Sequence, residues 1–387
     1  MLPYGRQTID DADIAAVVEV LRSQYLTCGP LVARFEQALA TKLGAAHASA
    51  CSSGTAALHL TYAALGLGAG DELITSPITF SATAAAAYYV GATVRFADVD
   101  PQTGNLDPAS VASLVNPRTR AIVPVHLAGM PVDLEAIHAI ADRHDLLVIE
   151  DACHALGATY HGNPIGGGRS AATVFSFHPV KHITTGEGGA IVTKDASLKR
   201  RIDRLRQHGI ERDPAHMLAP PAGSWSYEVQ ELGWNYRLSD LQCALGLNQL
   251  TRLDSFVARR RELAAMYRSA LATTFPNGGI RPPPQFSDRE SAYHLFAVAI
   301  DFAKFGTTRA HVTDALARDG IGTQVHYIPL LDHPLHAARC PGEVGRPRPG
   351  TDHYYARTLS LPMFPAMTDG DVAEVVAKLH RVLGDPA

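Results

Sequence analysis

The sequence lacks a long apolar run, a closely spaced cysteine pair and a strong excess of charge of either sign. Lys and Arg number 34 and Asp and Glu 38, for a formal net charge of -4, so a general nucleic-acid-binding protein is not expected. No apolar run reaches the length of a membrane span, and the first residues lack the apolar core of a signal peptide, so we expect no membrane partner. The five cysteines are scattered and odd in number, which favours reduced thiols in a cytoplasmic protein. The histidines form no metal-binding pattern, so we expect no metal site.

Hydrophobic residues make up 46% of the 387 residues and charged residues 19%, which is typical of a globular protein with two or three domains. In the first half of the chain, short apolar runs alternate with helical patterns. The predicted strands are residues 72–75, 93–97, 121–125, 146–149, 171–177 and 190–193, and the predicted helices include residues 31–43, 55–65, 81–89 and 133–143. This order indicates an α/β core with a largely parallel sheet, in which ligands bind at the carboxyl ends of the strands.

A Pro- and Gly-rich stretch at residues 276–284 predicts a domain boundary after a long helical region, residues 239–271. The remainder predicts a smaller α+β domain, with strands at 294–300 and 322–327 and a helix at 308–319. Residues 341–350 are rich in Gly, Pro and Arg and predict an exposed loop. We therefore expect a large cofactor-binding domain with an N-terminal arm over residues 1–250. A connecting helix and a small C-terminal domain are expected over residues 251–387.

One lysine, Lys181, follows the apolar run 171–177 inside the polar, glycine-rich segment SFHPVKHITTGEGG. Upstream, the apolar run 146–149 ends in Glu150 and Asp151. A lysine and an aspartate at strand ends are the two groups that pyridoxal 5'-phosphate (PLP) needs. The lysine holds its aldehyde as a Schiff base, and the aspartate keeps its ring nitrogen protonated. Taken singly, Lys181 is compatible with a surface lysine and Asp151 with a helix N-cap. Together they predict a PLP site, in which the freed amine of Lys181 can also carry a proton.

Further residues fit the other parts of this cofactor. The phosphate can be bound by small residues at a predicted helix start and a strand end, namely Ser53, Gly54, Thr55 and Ser176. Phe80 can stack on the ring, although a core phenylalanine would give the same pattern. His154 can pack against the ring or its phenolic oxygen, although a lone histidine is also compatible with a structural role.

The motifs that contain these residues resemble the DegT/StrS family of PLP-dependent nucleotide-sugar aminotransferases. The resemblance runs from Tyr4 to the final helix. It depends on SSGTAAL at 52–58, EDACHALGA at 150–158, SFHPVKHITTGEGGA at 176–190 and GWNYRLSDLQCALGLNQL at 233–250. It implies an aspartate-aminotransferase-like (type I PLP) fold and a homodimer with shared active sites. Some members carry histidine in place of the lysine and catalyse dehydration, so Lys181 favours transamination.

The resemblance also implies roles at a subunit interface and in a sugar pocket. Asn235 would reach the phosphate of the neighbouring subunit's cofactor, and Arg237 would face the phosphates of the substrate. Segments SPITFSATA at 76–84 and GIGTQVHYIPL at 320–330 resemble most the family members of pseudaminic acid biosynthesis. By this similarity the sugar-nucleotide pocket would be lined by Tyr4, Gln24, Tyr25, Leu26, Thr27, Gln324, Val325, His326 and Tyr327. Residues 324–327 alone would also be compatible with an ordinary strand.

The resulting hypothesis is a transamination in two half-reactions. L-Glutamate would donate the amine, and a UDP-linked 4-keto-6-deoxy-N-acetylhexosamine would accept it at C4. The product would be UDP-4-amino-4,6-dideoxy-N-acetyl-β-L-altrosamine. Two alternatives stay open: a C4 aminotransferase for another UDP-, GDP- or dTDP-linked 4-keto sugar, and a PLP-binding regulator without catalytic activity.

Overall fold

The computed structural model describes residues 1–384, which form thirteen α-helices and fifteen strands. The helices are α1 (Asp11–Leu21), α2 (Pro30–Leu43), α3 (Gly54–Ala64), α4 (Ala82–Tyr89), α5 (Pro108–Leu114), α6 (Leu134–His144), α7 (Ala196–Leu205), α8 (Asp240–Thr251), α9 (Leu253–Thr274), α10 (Arg309–Arg318), α11 (Pro334–Arg339), α12 (Pro349–Arg357) and α13 (Asp369–Leu383). The strands are β1 (His47–Cys51), β2 (Glu72–Thr75), β3 (Thr93–Phe96), β4 (Thr119–Val123), β5 (Leu147–Asp151), β6 (Thr159–Tyr160), β7 (Asn163–Pro164), β8 (Ala172–Ser176), β9 (Gly189–Thr193), β10 (Ile210–Glu211), β11 (Glu228–Val229), β12 (Ile280–Arg281), β13 (Arg289–Glu290), β14 (Phe296–Ile300) and β15 (Thr358–Leu361).

Seven strands form the main sheet, in the order β1-β9-β8-β5-β4-β2-β3. The run from β3 to β8 is parallel, whereas β9 pairs antiparallel with both β8 and β1. The predicted α/β class with a largely parallel sheet is therefore confirmed. The strand β1 was not predicted because its sequence, HASAC, is short and lacks the β-branched residues that mark a strand.

Helices cover both faces of the main sheet, so its strands are buried on two sides. In β5, Val148 packs into one apolar core and Ile149 into the other. This burial explains why the strands appear in the sequence as continuous apolar runs rather than as alternating patterns. It also leaves the polar residue at the end of β5, Asp151, at the edge of the sheet.

A third apolar core lies among β14, β15, α9, α10 and α13. The predicted strand at 322–327 is wrong, because this segment makes one isolated bridge, from Gln324 to Ser360, and Ile321 just before it makes another, to Leu2. The N-terminal residues lie beside this segment, since the Gly322 N–H donates to the Leu2 carbonyl at 2.8 Å. The strands that pair with β14 are instead β12 and β15, and the sequence analysis missed both.

Two further expectations need correction. The helical region 239–271 is divided at Arg252, whose backbone leaves the helical conformation and whose side chain pairs with Asp10 and Asp13. Residues 341–350 are not a fully exposed loop, because Glu343 and Arg348 are buried and paired at 2.5 Å. The division of the chain at residues 250 and 251 stays a prediction, and the last three residues of its second part lie outside the described residues.

None of the helices within residues 1–384 is long and apolar enough to cross a membrane. The five cysteines all lie in the described part of the chain and are free. In the same part of the chain, no group of three or more His, Cys, Asp or Glu side chains is arranged to hold a metal ion.

Arg260 in α9 is 1% exposed and holds the third core together. Its guanidinium donates to the backbone carbonyls of Tyr293 at 3.1 Å, His294 at 3.2 Å and Met363 at 2.9 Å.

We expect Arg260→Met to lower the free energy of unfolding by about 3 kcal/mol or more, because three buried acceptors lose their donor. Urea denaturation followed by circular dichroism measures this change. The neighbouring, more exposed Arg259 is the control, and Arg259→Met should cost about 1 kcal/mol or less. Equal losses of stability in Arg260→Met and Arg259→Met would contradict the stabilising role that we assign to the Arg260 hydrogen bonds.

Candidate active site

The carboxyl ends of β1, β5 and β8 bring the predicted cofactor residues to one edge of the sheet. Asp151 is the last residue of β5 and Ser176 the last of β8, and these two strands are parallel neighbours. Strand β1 points the same way as β8, because both pair antiparallel with β9. Helix α3 therefore begins at this edge, with Gly54 as its first residue.

The start of α3 forms a cradle with the hydroxyl of Ser176. The Ser53 side chain caps the helix by accepting the Ala56 N–H at 3.1 Å, which leaves the N–H groups of Gly54 and Thr55 at the helix end. A Cβ added to Gly54 would lie 3.2 Å from the Ser176 Oγ and 3.3 Å from the Cys153 Sγ. Glycine thus leaves room beside the hydroxyl, and this arrangement of donors suits a phosphate group.

Lys181 lies in the turn that follows β8, where its N–H donates to the His178 carbonyl at 2.9 Å. Burial lowers the pKa of its amine, while the nearby Cys153 and Asp151 act in the opposite direction. A lowered pKa gives the amine a larger neutral fraction, which is the nucleophilic form. The predicted Schiff-base lysine therefore has the environment that its chemistry needs.

The carboxylate of Asp151 is buried and accepts a hydrogen bond at each of its two oxygens. Its Oδ2 accepts from the Thr83 hydroxyl at 2.7 Å, and its Oδ1 accepts from the Cys153 N–H at 3.2 Å. The sequence analysis missed Thr83, which lies in α4, 68 residues before Asp151. No local pattern connects two residues so far apart, so only the packing of α4 on the strand ends reveals this contact.

His154 connects the strand end to the segment that contains Tyr327. Its Nε2 lies 3.1 Å from the Tyr327 hydroxyl, and its Nδ1 accepts from the Ala128 N–H at 3.4 Å. Its ring centroid is 4.4 Å from that of His294, a second residue that the sequence analysis missed. Burial lowers the pKa of His154 well below its usual value, so the ring is neutral. Because Nδ1 accepts, Nε2 carries the proton and donates to Tyr327.

Three of the predicted sugar-pocket residues lie together near His154. The Tyr4 ring centroid is 5.4 Å from that of His326, and the Tyr327 ring centroid is 6.2 Å from that of Phe80. Phe80 is 61% exposed, so it is not a core phenylalanine in this chain. Gln324 and Val325 make no ring contact with this group. The Gln324 side chain accepts from the Val325 N–H at 2.8 Å, and the Gln324 backbone bridges to Ser360 of β15.

The other predicted substrate residues form a second group at the start of α8. These residues are Gln24, Tyr25, Leu26, Thr27 and Arg237, together with Asn235 from the predicted cofactor set. The Leu26 carbonyl accepts from the Asp240 N–H at 3.0 Å, which fixes the 24–27 segment there. Within residues 1–384, the guanidinium of Arg237 has no hydrogen bond or ion pair. Across the same residues, no hydrogen bond or ring contact joins the 24–27 segment to Tyr4, His326 or Tyr327. The predicted substrate residues therefore form two groups, and within the described chain the 24–27 segment makes no such contact with the group around His326.

The residues at the sheet edge fit PLP. They supply a desolvated amine, a buried carboxylate with free lone pairs, a helix start that faces a hydroxyl, and an exposed aromatic ring. The class of protein that this fold and this site define is a PLP-dependent enzyme of the aspartate-aminotransferase type.

Comparison with known proteins places the chain more narrowly. The model of the DegT/DnrJ/EryC1/StrS aminotransferase family matches residues 7–380. The spore coat polysaccharide biosynthesis protein SpsC of Bacillus subtilis is 42% identical over 383 residues, which cover 99% of this chain and 97% of SpsC. The chain belongs to the DegT/DnrJ/EryC1/StrS aminotransferase family, and it is a PLP-dependent sugar aminotransferase.

Solved structures agree with this assignment. The Helicobacter pylori aminotransferase PseC, involved in the biosynthesis of pseudoaminic acid, superposes with a TM-score of 0.91 at 32% identity, over 99% of both chains. The sugar aminotransferase Spr1654 of Streptococcus pneumoniae in its PMP form superposes with a TM-score of 0.89 at 28% identity, also over 99% of both chains. The predicted aspartate-aminotransferase-like fold is therefore confirmed.

Four buried histidines make the stability of the protein depend on pH. Burial lowers the pKa of His154, His182 and His294 well below the usual value and that of His326 to about 3. Below about pH 6.5 the unfolded chain binds protons that the folded protein excludes. The free energy of unfolding should therefore be highest above that pH and fall on acidification, by up to about 1.4 kcal/mol per pH unit for each histidine.

Urea denaturation midpoints between pH 7 and pH 5 measure this dependence. We expect His326→Gln to reduce the change of the free energy of unfolding with pH, because one residue that binds a proton only in the unfolded chain is removed. The exposed His178 is the matched control, and His178→Gln should keep the slope of the unsubstituted protein. A His326→Gln protein with an unchanged slope would show that this ring is protonated in the folded state.

Proposed function

We propose that this chain transfers the amino group of L-glutamate to C4 of a UDP-linked 4-keto-6-deoxy-N-acetylhexosamine. The product would be UDP-4-amino-4,6-dideoxy-N-acetyl-β-L-altrosamine, a precursor in pseudaminic acid biosynthesis. The observation that carries the transamination chemistry is the desolvated amine of Lys181 beside the carboxylate of Asp151. The choice of sugar is supported by the similarity to PseC, which extends over 99% of both chains.

PLP, when bound, stabilises negative charge at the substrate carbon next to nitrogen by drawing electrons into its ring. In our proposal, the Nζ of Lys181 would take the proton from the glutamate carbon next to nitrogen and deliver it to the cofactor carbon C4′, which keeps the amino group. In the second half-reaction, the same Nζ would move a proton from C4′ to C4 of the sugar. The carboxylate of Asp151 keeps a proton on the ring nitrogen. The helix start at Gly54 and Thr55, with the Ser176 hydroxyl, binds the phosphate.

The sugar is proposed to bind between Tyr4, His326 and Tyr327. The His326 ring contacts both tyrosine rings, and the Tyr327 ring also contacts His154 and Phe80. His326 donates or accepts through one nitrogen only, because its Nδ1 is held 2.8 Å from the Ser360 hydroxyl. A neutral histidine and two phenols can bind sugar hydroxyl and amide groups without adding charge. The phosphates of the nucleotide are proposed to meet Arg237, whose guanidinium has no partner within the described residues.

A homodimer with shared sites would bring together the two groups of predicted substrate residues, the one around His326 and the one around Arg237. The segment 210–232, which contains β10 and β11, exposes a set of large apolar side chains: Leu218, Trp225, Tyr227, Val229 and Leu232. Such a patch is typical of a protein interface. We propose that a second copy covers it and presents Asn235, Arg237 and the 24–27 segment to the neighbouring site.

The alternative sugar is suggested by SpsC, which at 42% identity is named for spore coat polysaccharide biosynthesis. In this reading, the chain aminates C4 of another UDP-, GDP- or dTDP-linked 4-keto sugar. The chemistry at Lys181 is the same in both readings, so only the acceptor distinguishes them.

A panel of purified 4-keto nucleotide sugars tests the reaction. With L-glutamate and PLP, we expect 2-oxoglutarate release and a C4 amine on the UDP-linked N-acetylhexosamine, detected by mass spectrometry and NMR. Lys181→Ala should lower the rate at least about 1000-fold, because the residue that moves the proton is lost. Lys194→Ala, at an exposed lysine after β9, is the control and should keep the rate. Amination of a GDP- or dTDP-linked sugar alone would favour the alternative, and an active Lys181→Ala protein would contradict both.

Light scattering after size-exclusion chromatography tests the dimer. The unsubstituted protein should have the mass of two 41.4 kDa chains. Leu232→Asp should shift the protein towards the monomer and lower its activity, because a buried charge at an interface is unfavourable. Val344→Asp, at an exposed residue outside the apolar patch, should leave the mass unchanged. A monomeric unsubstituted protein with full activity would contradict the shared pocket.

A further inference from the structure

Two buried threonines of the α4 region form a chain of hydroxyl groups that ends on Asp151. The hydroxyls of Thr79 and Thr83 are 2.8 Å apart, and that of Thr83 is 2.7 Å from the Asp151 Oδ2. Both threonines are 2% exposed. The transamination chemistry proposed above uses neither of them.

The direction of this chain is set by the carboxylate. An ionised carboxylate can only accept, so the Thr83 proton points at Asp151. A hydroxyl has one proton, so the oxygen of Thr83 is left to accept the proton of Thr79. The Thr79 hydroxyl has no second partner within residues 1–384, and the chain therefore runs from Thr79 through Thr83 to Asp151.

Asp151 depends on such donors because it has no ion pair within the described residues. Its Oδ1 accepts from the Cys153 N–H at 3.2 Å, and the Cys153 side chain also interacts with this carboxylate. A carboxylate has about four lone-pair sites, so these contacts still leave one for a ring N–H. A buried charge without donors is strongly unfavourable, and hydrogen bonds to a charged group are the strong ones.

Helix α4 is itself fixed at this point. The hydroxyl of Tyr62, which is fully buried in α3, donates to the Thr83 carbonyl at 3.1 Å. The backbone of Thr83 is thus tied to the helix that begins at Gly54. A shift of the carboxylate would have to break this contact or turn the Thr83 side chain away.

We infer that Thr83, oriented by Thr79, is a positioning residue that holds the Asp151 carboxylate in place for the ring nitrogen of the cofactor. This inference rests on the proposed function of Asp151. It assigns Thr83 to cofactor affinity and to the protonation of the bound ring, and not to contact with the sugar.

Equilibrium dialysis of the apoprotein against PLP tests this inference without any measurement of turnover. Thr83→Val keeps the shape of the side chain and removes the donor, and we expect it to raise the Kd for PLP by about 10- to 100-fold. The same variant should shift the pH titration of the visible absorption of the bound cofactor. Thr83→Ser restores the hydroxyl and should stay within about threefold of the unsubstituted protein.

Thr61→Val is the matched control for loss of a buried helical hydroxyl. Thr61 is fully buried in α3, and its hydroxyl donates to the Ala57 carbonyl of its own helix at 2.7 Å. We expect its Kd and its absorption titration to match those of the unsubstituted protein. Equal changes in Thr61→Val and Thr83→Val would reduce the effect to general destabilisation and overturn the inference.

Asp151→Asn separates failure of this inference from failure of the proposed function. If Asp151→Asn weakens PLP binding while Thr83→Val leaves the Kd and the titration unchanged, Asp151 keeps its role and the inference is overturned. If neither substitution changes PLP binding, the proposed role of Asp151 also fails. Should Thr83→Val not fold, Thr79→Val is measured instead. It should raise the Kd by about threefold or more, and no change would overturn the inference.

Discussion

The placement of a desolvated amine beside a buried carboxylate is the constraint on which the rest of this structure depends. Burial lowers the pKa of Lys181, and Asp151 is close enough to oppose that effect. Neither group is stable there without a supporting frame, because buried charge requires partners. The frame is the edge of a parallel sheet that has helices on both faces. This edge holds two strand ends side by side, and the helices keep water out of the apolar cores behind them.

The polar groups at this edge are arranged by distance from the sheet. The strand ends and the start of α3 hold the groups suited to the aldehyde, the ring nitrogen and the phosphate of PLP. Farther out, His154 connects this region to Tyr327 at 3.1 Å. His326 is held to β15 of the third core by the Ser360 hydroxyl, whereas Tyr327 packs against a smaller apolar cluster that includes Leu127 and Tyr354. This arrangement places the groups suited to the cofactor next to the aromatic residues that we propose contact the sugar.

Much of this arrangement could be predicted from the sequence, because Lys181 and Asp151 each follow a buried apolar run and parallel strands end at one edge. The pairing of β15 with β14, and the absence of a strand at 322–327, could not be predicted, because a short apolar run does not reveal which strand it pairs with. Thr83 was missed for a related reason: its contact with Asp151 spans 68 residues and leaves no periodic pattern. The substrate residues were predicted only through family resemblance, and no hydrogen bond or ring contact within the described residues joins the 24–27 segment to Tyr4, His326 or Tyr327.

The central claim is that the amine of Lys181 bonds to the PLP aldehyde. Borohydride reduction of the purified protein with PLP makes that bond permanent, and peptide mass spectrometry then locates it. The account predicts a single pyridoxyl group, on the peptide that contains Lys181. A pyridoxyl group on another lysine, or a protein that takes up no PLP at all, would contradict it.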